Sequence, residues 1–231
     1  MTAEFLSLGI AFSLFLYAGL ASFRARPQPK HEPAPCPPSV PTTGGEPAPP
    51  QEIATTHFPG EEIALAWVAG KQVADLSHRH GQWRLRLAPG SPGRLQRWHT
   101  TPAFPQQEIA AAWDEGFHAS SLAYGAGLWA LVLTQNDGPS LQQWHTSQDF
   151  PRDAIEAGWS QGYQITSLAY GEGTWALILT QTDTPDAQYF HCEAAFPEEE
   201  IAQATANGYR PTSLVCAGDA WALVMSKAAA R

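Results

Sequence analysis

Three histidines stand one repeat apart in this chain. His99, His145 and His191 fill the same slot of successive copies, 46 residues from one to the next. Three imidazoles are a set that holds zinc with a fourth position left for water. If the slot pointed at a common axis they would form such a centre, with Ile53 at the fourth place. Zinc is the one cofactor the sequence suggests, and a metal-dependent enzyme is the function it would serve. Against that, the neighbours Trp98, Trp144 and Phe190 suit the core side of an alternating strand, which turns the histidines outward.

A second group, His78, Arg79, His80, Arg84 and Arg86, lies where the first copy departs from the others, which read Ala-Tyr-Gly and Trp-Ala-Leu there. Five basic or titratable side chains on two neighbouring strands suit an anion-binding or partner-docking patch. They suit the solvated face of a terminal repeat equally well. Tryptophans also recur at fixed slots, Trp67, Trp113 and Trp159 in one series and Trp83, Trp129, Trp175 and Trp221 in another. A glycan-binding module would use such rings as stacking platforms, whereas regular spacing in register with Ile, Leu and Ala is what core packing requires. No catalytic residue is assigned, because the chain holds no Ser-His-Asp order, Gly-x-Ser-x-Gly elbow, His-Glu-x-x-His helix or paired-carboxylate slot.

The elements that must position these residues are set by the repeat. Phe-Pro appears at Phe58, Phe104, Phe150 and Phe196, an isoleucine at Ile63, Ile109, Ile155 and Ile201, and a glycine at Gly70, Gly116, Gly162 and Gly208, all in steps of 46 without insertion or deletion. Such a unit buries its apolar face against its neighbours. In the third copy, Gln143 to Thr146 alternates as a short strand. Pro151 opens a helix of about three turns that Gly162 ends, with Asp153 and Glu156 near its start. Tyr163 to Tyr170 is a second strand, and Gly171-Glu172-Gly173 turns it into Trp175 to Gln181, apolar on both faces and so expected at the centre of its sheet.

These patterns predict an α+β fold of four tandem strand-helix-strand-strand repeats, at about 51–91, 92–137, 138–183 and 184–231. Closure into a propeller-like toroid with the helices outside would hide the strand edges that an open stack exposes. Ahead of this four-repeat domain, 51–231, residues 1–25 contain an uncharged run from Phe5 to Phe23, which predicts an N-terminal transmembrane helix. Arg24, Arg26 and Lys30 follow it and place the C-terminal domain on the cytoplasmic side of a single-pass membrane protein. Export after signal cleavage is the alternative, opposed by a start that carries Glu4 and no basic residue. Residues 26–50 form a Pro-rich linker, extended and semi-rigid.

With 231 residues, 44% hydrophobic and 15% charged, the chain is long and apolar enough for one well-buried body. Three acidic and three basic residues cancel in the first fifty positions, so the formal charge of −9 belongs to the repeats. That sign excludes nucleic acid as the principal partner. The first copy is nonetheless basic and the rest strongly acidic. Cys36, Cys192 and Cys216 share no framework or zinc spacing, and the last two read as slot variants.

The stretches Gly162-Tyr163-Gln164-Ile165-Thr166-Ser167-Leu168 and Trp221 to Lys227 resemble a tandem-repeat region at the C-terminal end of plant casein-kinase-1-like kinases. The resemblance covers roughly residues 51 to 227 and includes no kinase domain. That region has no established activity, so the resemblance implies an accessory module more than an enzyme. The function expected is therefore a membrane-tethered, non-catalytic repeat module for protein binding or scaffolding, with a protein partner. The metal-dependent enzyme and the glycan-binding module are the alternatives.

Overall fold

In the computed structural model, residues 51–91, 93–135, 141–183 and 185–228 are described. Each copy is strand, helix, strand, strand: β1 (Gln51–Thr55), α1 (Gly60–Val68), β2 (Lys71–Arg79) and β3 (Gln82–Pro89) in the first. The second has β4 (Gln96–Thr101), α2 (Gln106–Asp114), β5 (Phe117–Gly125) and β6 (Leu128–Gln135). The third has β7 (Gln142–Ser147), α3 (Arg152–Ser160), β8 (Tyr163–Gly171) and β9 (Thr174–Gln181). The fourth has β10 (Ala187–Glu193), α4 (Glu198–Ala206), β11 (Arg210–Ala217) and β12 (Ala220–Lys227).

Every copy makes its own antiparallel sheet, with the third strand of the copy in the middle: β1-β3-β2, β4-β6-β5, β7-β9-β8 and β10-β12-β11. The strand that is apolar on both faces is thus the central one. The helices are nine residues each, too short to persist alone. A buried proline caps each start, so that Ile155 N–H reaches Pro151 C=O at 3.0 Å, and Gly162 at φ 79° ends the third one. Ile63, Ile109 and Ile155 are fully buried beneath them. Phe58, Phe104 and Phe150 meet Trp83, Trp129 and Trp175 edge to face, with centroids 5.2 to 5.6 Å apart.

Copies join through a set of devices that recurs slot by slot. The second strand carries a β-bulge, between Val73 and Asp75, Ala119 and Ser121, and Ile165 and Ser167, which leaves main-chain groups without a ladder partner. A glutamine from the next copy supplies it. Gln142 Oε1 accepts from Ala119 N–H at 2.8 Å and from the Trp113 indole at 3.0 Å, and its Nε2 donates to Ala119 C=O and to Thr180. Gln96 and Gln188 do the same for Trp67 with Val73 and for Trp159 with Ile165. Ser121 Oγ bridges Leu76 N–H and C=O, and Ser167 Oγ bridges those of Leu122. Ala130 and Val132 of the second copy sit in the first copy's core, Ala176 and Ile178 in the second's, and Ala222 and Val224 in the third's.

The expected closed toroid is corrected here. Among the described residues there are four separate three-stranded sheets and no closed sheet. β2 packs on β5, β5 on β8 and β8 on β11, but β11 makes no comparable packing against β2. The sequence itself explains why copy four cannot seal against copy one. At the slot of the three glutamines copy one has Pro50, and opposite it copy four has Thr205 for the tryptophan and Pro211, which has no N–H, for the bulge residue. Where the later copies insert Trp98, Trp144 or Phe190, copy one has Glu52, and where they insert Ala and Val or Ile, it has Arg84 and Arg86. Charges in these slots oppose burial. Ile201 and Trp221 of copy four are accordingly left partly exposed.

The expected N-terminal transmembrane helix is also corrected. No helix among the described residues is long and apolar enough to cross a membrane. The segment on which that expectation rested, residues 1–25, and the linker 26–50 lie outside the described residues, so neither the single-pass placement nor its cytoplasmic orientation has support.

Candidate functional site

The inner edge of each sheet is its second strand, and β2, β5, β8 and β11 together border one cavity of about 640 Å³. The bulges position its lining. By adding one residue to the second strand, each bulge aims a small or hydroxylated side chain, Ala74, Ser120, Thr166 or Thr212, toward this space. The hydroxyls are committed to the fold: Thr134 donates to Ser120 at 2.8 Å, and Thr212 lies 2.9 Å from Ser226 Oγ. What distinguishes the cavity chemically is its first-copy wall, where Asp75, His78, Arg79, His80 and Arg86 are gathered, with Arg210 entering from copy four.

Asp75 occupies the slot of Ser121, Ser167 and Ser213. Burial pushes its carboxyl above the usual carboxylate range, and the nearby Arg86 and Arg79 guanidinium groups only partly oppose that shift. His78 is the counterpart of Tyr124 and Tyr170, and burial holds its imidazole below the usual histidine range. Its ring lies 5.0 Å from that of Trp83 and against the backbone of Gly125, where an added Cβ would fall 2.1 Å from the imidazole. His80 takes the positive-φ position of the β2–β3 turn, at φ 51° and next to Gly81 at 72°, as the primed hairpin turns demand.

Of the five residues expected as a binding patch, the structure brings His78, Arg79, His80 and Arg86 to the cavity. Arg84 does not border the cavity and pairs with Glu52 at 2.8 Å. The histidines of the other series are not brought together. His99, His145 and His191 lie on β4, β7 and β10, the sheet edges opposite the cavity. His99 faces Glu108 at 3.5 Å and His191 faces Glu193 at 3.6 Å. Among the described residues no three His, Cys, Asp or Glu side chains are placed to hold one metal ion. Trp83, Trp129 and Trp175 are buried, and Trp67, Trp113 and Trp159 spend their indole N–H on the glutamines. Trp98 is the most exposed, at 36%, with its ring 4.8 Å from Phe58.

Sequence reasoning missed Asp75, Arg210 and the glutamine contacts. A signal was present in each case, since every one shows when the copies are aligned at 46 residues: an acid in a serine slot, and a glutamine replaced by proline only in copy one.

An open array of four β-α-β-β repeats around a polar cavity defines a repeat-built domain. The family described as Domain of unknown function (DUF7477) matches residues 51–182 and again 83–231, and the chain belongs to that family. The two overlapping matches fit a tandem repeat, because a stretch of about three copies can be laid on the array in more than one register. No curated protein and no solved structure matches the chain.

Proposed function

We propose that this chain is a non-catalytic binding module whose protein partner places a side chain or chain end in the cavity bordered by β2, β5, β8 and β11. The observation that carries the reading is the cavity itself: about 640 Å³, built by one strand from every copy, and inside the range of roughly 300–1,000 Å³ typical of ligand sites. Asp75, His78, Arg79, His80 and Arg86, all departures of copy one from the repeat, gather on its wall. The likeness of the repeat signature to the C-terminal region of plant casein-kinase-1-like kinases supports an accessory role of the same kind.

Ala74 is exposed on the cavity wall and makes no side-chain hydrogen bond, so Ala74→Trp obstructs the space at little cost to the fold. Peptides selected on the full chain from a random library should bind the Ala74→Trp protein at least tenfold more weakly, with its melting temperature unchanged. Equal binding to both proteins would overturn the reading.

A further inference from the structure

We infer that the group received by this cavity is anionic, a carboxylate or a phosphate, and that Arg86 with Arg79 of the first copy holds it. The inference rests on the cavity reading above and names the chemistry of its ligand. It follows from which slots break the repeat. Arg79 stands where the other copies have Gly125, Gly171 and Ala217, and Arg86 where they have Val132, Ile178 and Val224. An apolar or absent side chain is thus exchanged for a guanidinium twice on one cavity wall. Asp75 is the sole acid among the described residues that border the cavity, against Arg79, Arg86 and Arg210, so this lining is cationic in a chain whose formal charge is −9.

A solvated terminal face explains Arg84 but does not account for the cavity. Arg84 does not border the cavity and has its own carboxylate in Glu52. Arg86, two residues on, borders the cavity and has no such ion pair among the described residues. Arg210 meets Asp186 only at 3.7 Å, with 71% of its side chain exposed, so it is able to turn toward a bound anion. Guanidinium groups offer paired donors that match carboxylate and phosphate oxygens, and a concave wall lessens the screening that weakens such contacts on open surface. The recognising chemistry is the same for a free small anion and for an acidic chain end.

The test uses the full chain with Cys36→Ser and Cys192→Thr, which leaves Cys216, exposed and on the cavity wall, as the one thiol. Inorganic phosphate, citrate and a short glutamate peptide are titrated at constant ionic strength, and the labelling rate of Cys216 is followed. Protection that weakens tenfold or more in Arg86→Gln and persists in Arg84→Gln is the expected result. Protection by the peptide alone identifies a chain-borne acid, and protection by phosphate or citrate identifies the free anion. Asp75→Asn combined with Arg86→Gln should bind as weakly as Arg86→Gln, which guards against a fold disturbed by removing a positive charge near Asp75. Equal loss in Arg84→Gln and Arg86→Gln, or no protection by any anion, overturns the inference. If library peptides remain sensitive to Ala74→Trp while anions give no protection, only the ligand class has failed. If nothing responds to Ala74→Trp, the cavity reading has failed with it.

Discussion

The junction between the second and third copies and the place where the fourth would meet the first are built from the same slots, yet one is sealed and the other is not. Between copies two and three, Gln142 completes the bulge of β5, Ser167 bridges Leu122, Trp144 lies 5.2 Å from Phe104, and Tyr124 rests on Gly171. At the fourth-to-first boundary the corresponding residues of copy one are Pro50, Asp75, Glu52 and Arg79. The junction between copies three and four is intermediate. It keeps Gln188 and the pairing of Phe150 with Phe190 at 5.0 Å, but Ala217 replaces the glycine and β8 packs on β11 less extensively. The comparison teaches that an exact repeat length does not imply a closed ring. Closure needs a complementary pair of faces at every boundary, and copy one has exchanged its leading face for charge.

The largest test of this contrast transplants the terminal residue into a sealed junction. Ala130 is fully buried against the first copy's core, so Ala130→Arg should cost about 4 kcal/mol or more, while the reverse change at the equivalent terminal slot, Arg84→Ala, loses only a surface ion pair and should cost less than about 1 kcal/mol. Denaturant unfolding of the two variants reads both, and similar losses would break the comparison. Next in size is Gly171→Ala, whose new Cβ would lie 2.2 Å from Tyr124 Cγ. About 2–3 kcal/mol is expected, and adding Tyr124→Ala should remove most of the penalty, since no ring is then in the way.

Gln142→Ala strands the Ala119 main-chain groups and the Trp113 indole together, and about 2 kcal/mol of destabilisation is expected. Hydrogen exchange at Ala119 N–H should accelerate while that of Val73, held by Gln96, stays slow. A uniform change at both amides would mean that the glutamines do not act junction by junction. The smallest effect is expected from Asp75→Asn. With its folded-state pKa raised, Asp75 binds its proton more tightly in the native protein than in the unfolded chain. Stability therefore falls as pH rises from the unfolded value of about 4 through the folded one. The asparagine variant should melt higher than the parent at neutral pH, and the gain should shrink to nothing below about pH 4. His78 works on the opposite side: its lowered pKa makes acidification below about 6.5 destabilising, and His78→Tyr, the residue type of the next two copies, should flatten that part of the profile.

Legibility followed a simple physical division. The order strand-helix-strand-strand, the central place of Trp175 to Gln181, the glycine that ends each helix and the turn at Gly171-Glu172-Gly173 were all readable, because each depends on neighbours within a few residues. The half of the candidate site formed by His78, Arg79, His80 and Arg86 was readable for the same reason, as a local departure from the repeat. Asp75 was not singled out, because its significance comes from the serines 46, 92 and 138 positions away.

By itself the sequence determined the repeat length, the element order and the electrical difference between the first copy and the rest, since backbone preference, hydrophobic periodicity and formal charge are local quantities. Only the tertiary structure decided which strand edge faces the cavity, that Arg86 borders it while Arg84 two residues away does not, that the three histidines lie on the opposite edge, and that the array stays open. Those outcomes depend on sheet order and on whether two faces hundreds of atoms apart along the chain are complementary, and no local pattern specifies that.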